Sequence, residues 1–200
     1  MYKLLYIRIE SNSMIRLFDI VLASVGLTIS MPLLLGLWVV AWIDTRAPLF
    51  RQERVGRYQI PFTLLKFRSM RVGTPSIATH MVSSSSVTRI GGFLRRTKLD
   101  ELPQIWNVLV GDMSFVGPRP SLFSQTELLH ARQVRGVFEV RPGITGLAQV
   151  QGIDMSCPEL LAELDARMIR DFSIGLYLIL LVHTVLGRGA GDRISVSHDR

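Results

Sequence analysis

An apolar stretch from Leu17 to Ile43 dominates the chain, and its only polar or helix-breaking positions besides glycine are Asp19, Ser24, Thr28, Ser30 and Pro32. As one straight helix it is about 40 Å long, enough to cross a hydrocarbon core of about 30 Å with some tilt. Length alone reads as a transmembrane span. Two features favour a helix that bends and leaves by the face it entered. Lys3, Arg8 and Arg16 precede the stretch and Arg46, Arg51, Arg54 and Arg57 follow it, so both flanks carry the charge that marks the cytoplasmic side. Pro32, near the middle, removes a backbone N–H and releases the carbonyl of Thr28. A Ser30 or Thr28 hydroxyl can help satisfy that break, and each half is then too short to span. The expectation is a re-entrant helix–break–helix with its break at Ser30 and Pro32. A cleaved signal peptide fits poorly, because the run is too long and no small-residue cleavage site follows it.

From Pro48 onward the texture becomes globular, which divides the chain into a membrane-embedded part over 1–47 and a catalytic part with interfacial helices over 48–200. Phe62 to Phe67 reads as a strand or buried segment. Gly73 to Ser86 is rich in Ser, Thr and Gly and reads as a loop. Leu99, Leu102, Trp106 and Leu109 recur at helical spacing. Pro118-Arg119-Pro120 and Pro142-Gly143 mark stiff loops. Pro158 to Arg170 predicts an amphipathic helix with Leu160, Leu161, Leu164 and Met168 on one side. Phe172 to Leu186 is apolar but short for a span, which favours a core or interfacial helix. The fold class is therefore α/β, mainly helical, with no internal repeat.

Composition sharpens this picture. Hydrophobic residues make up 48%, mean hydropathy is +0.31, and the net charge is +7 with a pI near 10.3. A chain both apolar and basic suits an anionic membrane surface and anionic substrates. A nucleic-acid binder explains the charge but not the apolar content, so no nucleic-acid partner is expected. Cys157 is the only cysteine, and His80, His130, His183 and His198 are scattered. Neither a disulfide nor a zinc site follows from them. Phosphate-binding glycine loops of the G-x-x-x-x-G-K-[ST] and G-x-G-x-x-G kinds are missing too.

The charges carry the chemistry. Between Glu53 and Asp100 there is no acidic residue, while Arg54, Arg57, Lys66, Arg68, Arg71, Arg89, Arg95, Arg96 and Lys98 all fall there. Asp100 and Glu101 end the tract. A one-sided basic tract is by itself consistent with a solvated or membrane-facing surface. It is also what a diphosphate site requires: cations for the substrate, then carboxylates that attack or hold a metal. Pro103 places the carboxylates at or near a helix start, where the dipole and the arginines favour the ionised form. An ionised Asp beside a phosphoryl group is a plausible nucleophile. On these residues alone, an ordinary capping pair fits equally well.

Three blocks decide between the readings. Arg95-Arg96-Thr97-Lys98-Leu99-Asp100-Glu101-Leu102-Pro103-Gln104 continues through Trp106-Asn107-Val108 and Gly111-Asp112-Met113-Ser114 to Val116-Gly117-Pro118-Arg119-Pro120. With Lys66-Phe67-Arg68-Ser69-Met70 and Arg141-Pro142-Gly143-Ile144-Thr145-Gly146-Leu147-Ala148-Gln149-Val150, it resembles the bacterial sugar transferase family of monotopic polyprenyl-phosphate phosphoglycosyltransferases. The resemblance covers nearly the whole chain. It implies a re-entrant N-terminal helix, interfacial amphipathic helices and a small α/β part. It also implies ping-pong transfer of a sugar-1-phosphate from a UDP-sugar to polyprenyl phosphate, with UMP released and Mg²⁺ as cofactor. By position, Asp100 is the nucleophile, and Asp100 and Glu101 are the metal ligands. Lys66, Arg68, Arg95, Arg119, Arg141 and Gln149 are the substrate-binding candidates. The implied location is the cytoplasmic face of a bacterial inner membrane among membrane lipids, and a homodimer is left open.

The chain departs from the family pattern in places. Met31-Pro32 replaces a Ser-Pro pair, and Met168 and Tyr177 stand near positions usually held by Tyr and Asp. Gln151-Gly152-Ile153 stands where Asn-Gly-Arg is common. These changes leave the expected chemistry intact and the sugar unassigned. The rival reading is a catalytically silent membrane-surface scaffold of the same fold.

Overall fold

The computed structural model describes residues 13–74 and 86–187. Lys3, Arg8, His80, His198 and most of the expected Gly73–Ser86 loop lie outside them. The structure is mostly helical with two small sheets. The apolar stretch forms α1, Ser13–Thr45, assigned as one continuous helix with Pro32 inside it. It is long and apolar enough to cross a membrane. The Thr28 and Ser30 hydroxyls donate to the carbonyls of Ser24 and Gly26 (2.8 and 2.6 Å). This back-bonding bends helices, and it sends both hydroxyls elsewhere than the Thr28 carbonyl that Pro32 releases.

The two halves of α1 pack on one globular unit. Ala23 packs with Leu64, Val108 and Met113, and Leu37 and Ala41 pack with Phe67 and Leu94. Between them Ile29 is 75% exposed, and Met31 and Leu33 are exposed as well. Asp44 accepts a hydrogen bond from the Thr88 hydroxyl at 2.6 Å, fixing the far end of α1. The helix stops at Arg46, whose φ of 57° is left-handed.

Strands β1 (Leu49–Val55) and β2 (Pro61–Phe67) form an antiparallel hairpin with Phe50 opposite Lys66. α2 (Arg89–Arg96) is capped by Thr88, whose hydroxyl accepts from Gly91 N–H. Lys98, at φ 58°, turns the chain into a single 3₁₀ turn, Leu99–Glu101, and α3 (Gln104–Val110) follows. The helical spacing from Leu99 to Leu109 therefore spans two elements, and Trp106 points outward at 51% exposure.

β3 (Ser114–Val116) and β4 (Gly143–Thr145) pair in parallel, with Ser114 opposite Gly143 and Val116 opposite Thr145. Their approach is close beside Gly117. A Cβ on Gly143 would lie 2.0 Å from Gly117 N, and one on Gly117 would lie 2.5 Å from the Arg141 carbonyl. Only glycine fits there. α4 (Thr126–Val134), the short α5 (Leu147–Val150) and α6 (Pro158–Arg170) share a core of Leu128, Ala131, Ala148, Leu161 and Ala162. α6 keeps the expected ends, with Pro158 in its first turn, although Leu160 faces outward rather than joining Leu161 and Met168. α7 (Ile174–Val185) buries Tyr177 and Leu180 and exposes Leu178, Ile179, Val182 and Val185, the pattern of an interfacial helix.

Candidate active site

Asp100 and Glu101 close the 3₁₀ turn ahead of α3, and Asp100 is only 5% exposed. Glu101 Oε1 sits between two cations. Lys66 Nζ on β2 lies 3.1 Å away and Arg119 Nη2 lies 3.0 Å away. Positions 35 and 18 residues distant in sequence thus meet at one oxygen. These side chains are 10–19% exposed, so water still reaches them. The trio contributes to arrangement and local charge more than to stability.

Asn107 sets the distance between β2 and the dyad. Its Oδ1 accepts from Leu65 N–H (3.1 Å) and its Nδ2 donates to the Thr63 carbonyl (2.8 Å). The side chain satisfies backbone groups on either side of one β2 position, as a neighbouring strand would. α3 is thereby clamped beside Lys66. Asn107 stands inside a family block but not among the candidate site residues, because a buried amide that takes a strand's place leaves no periodic trace.

The Pro118–Ser121 loop carries Arg119, and four successive carbonyls along it are held by donors from three different elements, β4, α4 and β1. Pro118 O accepts from Gly143 N–H (2.9 Å) and Arg119 O from Arg132 Nη1 (2.8 Å). Pro120 O accepts from Arg54 Nη1 (3.0 Å) and Ser121 O from Val55 N–H (2.9 Å). The prolines fix φ but supply no donors, so the stiffness expected from Pro-Arg-Pro is completed by these acceptors. Arg132 is itself held by Asp165, with Nε and Nη2 at 3.0 and 2.7 Å from Oδ2. Both are 1% exposed. Burial pushes the Asp165 carboxyl up, and the Arg132 charge and hydrogen bonds pull it back. Arg132 and Asp165 lie outside the motif blocks, and nothing in the sequence pairs them.

The remaining candidates are spread around this centre. Arg95 lies in the last turn of α2, shortly before the dyad, with Nε and Nη1 buried. Arg68 donates to the Ala47 and Leu49 carbonyls (2.9 and 3.3 Å) and lies over the Phe50 ring, tying the exit of α1 to the hairpin. Arg141 donates from Nε to the Gly111 carbonyl (2.8 Å), at the opposite end of α3 from the dyad. Gln149 is 8% exposed and packs against Gly146, and neither of its amide atoms has a hydrogen-bond partner among the described residues. Ser30 and Pro32 remain in the exposed middle of α1. Lys66, Asp100, Glu101 and Arg119 are thus brought together, with Arg95 nearby in sequence, while Arg68 and Arg141 are engaged elsewhere.

Among the described residues no three His, Cys, Asp or Glu side chains gather as a metal cluster. The dyad offers two carboxylates beside two cations. That set fits Mg²⁺, which is commonly bound by one or two carboxylates together with substrate phosphates.

Comparison with known proteins identifies the family. The sequence profile of the family described as bacterial sugar transferase matches residues 10–188. A UDP-galactose-lipid carrier transferase of Erwinia amylovora is 35% identical over 88% of this chain and 40% of its own length. A UDP-glucose:undecaprenyl-phosphate glucose-1-phosphate transferase of Caulobacter vibrioides is 41% identical over 69% of this chain and 54% of its own. An uncharacterized sugar transferase of Bacillus subtilis, EpsL, is 38% identical over 85% of this chain and 84% of its own. The chain spans about half or less of the length of the first two.

Proposed function

This chain belongs to the bacterial sugar transferase family, and from that premise we propose that it transfers a sugar-1-phosphate from a UDP-sugar to polyprenyl phosphate through Asp100. The observation that carries the reading is the buried Asp100 next to a carboxylate bracketed by Lys66 and Arg119. In the first half-reaction an Asp100 oxygen attacks the β-phosphorus of the donor. The bond from that phosphorus to the bridging oxygen breaks, and UMP leaves with the electron pair. A sugar-1-phosphoryl group remains on Asp100 as an acyl phosphate. In the second half-reaction a phosphate oxygen of the lipid acceptor attacks the same phosphorus, and the Asp100 carboxylate is released.

Lys66 and Arg119 supply positive charge where the diphosphate develops negative charge. Glu101 holds both cations in place beside the nucleophile. Burial of Asp100 keeps bulk water from the acyl phosphate between the two steps. Asp100 and Glu101 would hold Mg²⁺, which would supply charge neutralisation on the diphosphate. The names of the relatives support a UDP-hexose such as UDP-glucose or UDP-galactose as donor and undecaprenyl phosphate as acceptor.

Such a reaction requires the dyad at a bilayer surface, and the packing of α1 supports a re-entrant helix there. Ala23 and Ala41 would stand about 27 Å apart on a straight helix. They pack into clusters containing Leu64 and Phe67, which are about 10 Å apart along β2. A helix bent at its exposed middle meets both constraints, with that middle in lipid and both ends on the cytoplasmic face of the inner membrane.

The test is UMP release from purified protein in detergent over a panel of UDP-sugars, with Asp100→Asn alongside. Wild type releases about one UMP per active chain before acceptor is added, and its intact mass rises by the sugar-phosphate. Asp100→Asn does neither. Near wild-type UMP release from that variant refutes the mechanism, and no release from wild type with any donor leaves the silent scaffold.

A further inference from the structure

The helix that enters the membrane and the helix that follows the dyad are joined by a polar clasp with no part in the chemistry above. Arg16, near the start of α1, donates from Nη1 to Val108 O (2.7 Å) and from Nη2 to Leu109 O (2.9 Å). These carbonyls belong to the last turn of α3, where intrahelical donors run short, and Val108 O accepts from the Gly111 N–H (3.2 Å) as well. Asp19, one turn further along α1, is 1% exposed. Its Oδ1 accepts from Ser114 Oγ (3.0 Å), Phe115 N–H (3.1 Å) and Tyr177 OH (2.9 Å). One face of α1 thus grips the segment Val108–Phe115 from the end of α3 into β3, and α7 closes over the joint through Tyr177.

α3 is seven residues long, about 10 Å, and too short to bend appreciably. Whatever fixes its C-terminal end fixes the dyad just ahead of its N-terminal end. Lys66 and Arg119 move with the dyad, because Asn107 and the anchored loop bind them to the same globular unit. The donor arrives from solution and meets that unit as a whole. The acceptor's phosphate is different, because its polyprenyl chain holds it at a set depth in the bilayer.

We propose that Arg16 and Asp19 are positioning residues that set the height of the Asp100–Glu101 dyad over the bilayer, and that they govern attack by the lipid acceptor rather than attack on the donor. The proposal rests on the transferase reading above and adds to it a division of labour. Arg16 is suited to the task because a planar guanidinium reaches two adjacent carbonyls at once, whereas a lysine ammonium on a flexible stem does not hold that pair in fixed geometry.

The experiment uses the full chain in lipid nanodiscs and separates the two half-reactions. The first readout is the UMP burst with UDP-sugar and no acceptor. The second is steady-state turnover against polyprenyl phosphate concentration. Arg16→Ala is expected to raise the KM for polyprenyl phosphate about tenfold, the scale of one lost hydrogen bond to a charged group. Its burst amplitude and rate stay within about twofold of wild type. Arg16→Lys recovers part of the loss, and Tyr177→Phe shifts the same KM in the same direction by less.

The proposal is overturned if burst and acceptor turnover fall together by one factor, since that marks a structural role, or if neither changes. Should Arg16→Ala fail to fold, its burst vanishes, and Arg16→Lys and Tyr177→Phe decide by the same criteria. A wild type that gives no burst with any donor overturns instead the transferase reading on which the clasp's role depends.

Discussion

Replacing Asp165 with alanine is expected to cost more stability than any surface change in this chain, and the reason lies behind Arg119. Arg132 and Asp165 are each 1% exposed, and two charge-assisted hydrogen bonds of 3.0 and 2.7 Å join them. Asp165→Ala deletes both and leaves a guanidinium buried without its counter-charge. Stranding one member of such a pair costs about 3–5 kcal/mol, a large part of the 5–15 kcal/mol typical of a whole domain. The remaining Arg132 bond, to Arg119 O at 2.8 Å, is also disturbed as the guanidinium seeks water. A second variant separates the two effects. Arg132→Met with Asp165→Leu replaces the pair by apolar side chains, which is often neutral or stabilising. It still removes the donor from Arg119 O, so the loop loses one of its four anchors. Urea unfolding in micelles, followed by fluorescence of Trp38, Trp42 and Trp106, gives the stabilities, and UMP release gives the activities. The single variant is expected to be strongly destabilised. The double variant is expected to be stable but slow, by about tenfold or more, because misplacing an aimed side chain by about 1 Å is costly. A loss below about 1 kcal/mol for Asp165→Ala, or a double variant with full activity, refutes the reasoning.

Three further outcomes follow from other parts of the molecule. Arg119→Ala lowers UMP release by about a hundredfold while leaving stability nearly unchanged, and activity within twofold of wild type would withdraw Arg119 from the site. The Tyr177 phenol is pushed above its ordinary value of 10.0, first by burial and then by the Asp19 carboxylate that accepts its proton. The folded form therefore keeps a proton that the unfolded chain gives up, and stability is complete below pH 10 and falls as pH rises beyond it. Tyr177→Phe removes that alkaline slope, and parallel slopes for both proteins in urea titrations would contradict the assignment. For topology, an engineered N-terminal cysteine in a Cys157→Ser background is expected to resist an impermeant thiol reagent in intact cells and to label after lysis, and labelling from the periplasm would contradict the re-entrant helix.

Some of the fold was legible because its signals are local. α6 begins at Pro158 and carries its apolar residues at helical spacing, and β2 reads directly from a short run of Phe, Thr and Leu. β1 escaped because Gln52 and Arg54, both inward and buried, look like solvent-facing positions in LFRQERV. Arg54 turns inward to meet Gln52 Oε1 and the Pro120 carbonyl, partners that only the folded chain supplies. β3 and β4 are three residues each and exist through a pairing distant in sequence, so no window contains their cause. The dyad and Lys66 were visible in an anomaly of charge, and Arg119 only through the family blocks, but which of the candidate cations meet at Glu101 was not. Lys66 and Arg119 do so, and Arg141 instead reaches Gly111. Asp19 was noted only as an interruption of an apolar run, whereas three donors converge on it. A single acid among lipid-facing residues, one turn after an arginine, was the available hint. Met168 and Tyr177, where the chain departs from the family pattern, share one buried cluster with Val116 and Leu180, so a change at either bears on the packing of the other.

The contact between Gly117 and Gly143 has a consequence for how this chain can vary. Every other amino acid carries a Cβ, so any missense change at either position places a carbon where backbone atoms lie 2.0–2.9 Å away. No choice of replacement softens this, because the conflict precedes side-chain identity. The two strands must part, and Pro118, the next residue along, is carried with them, taking Arg119 away from Glu101. Random mutagenesis scored for turnover should therefore show two positions as unforgiving as Asp100 itself, although neither has a functional group to contribute. What an alignment would flag there as chemistry is clearance: the reacting groups depend on places where nothing at all can be added.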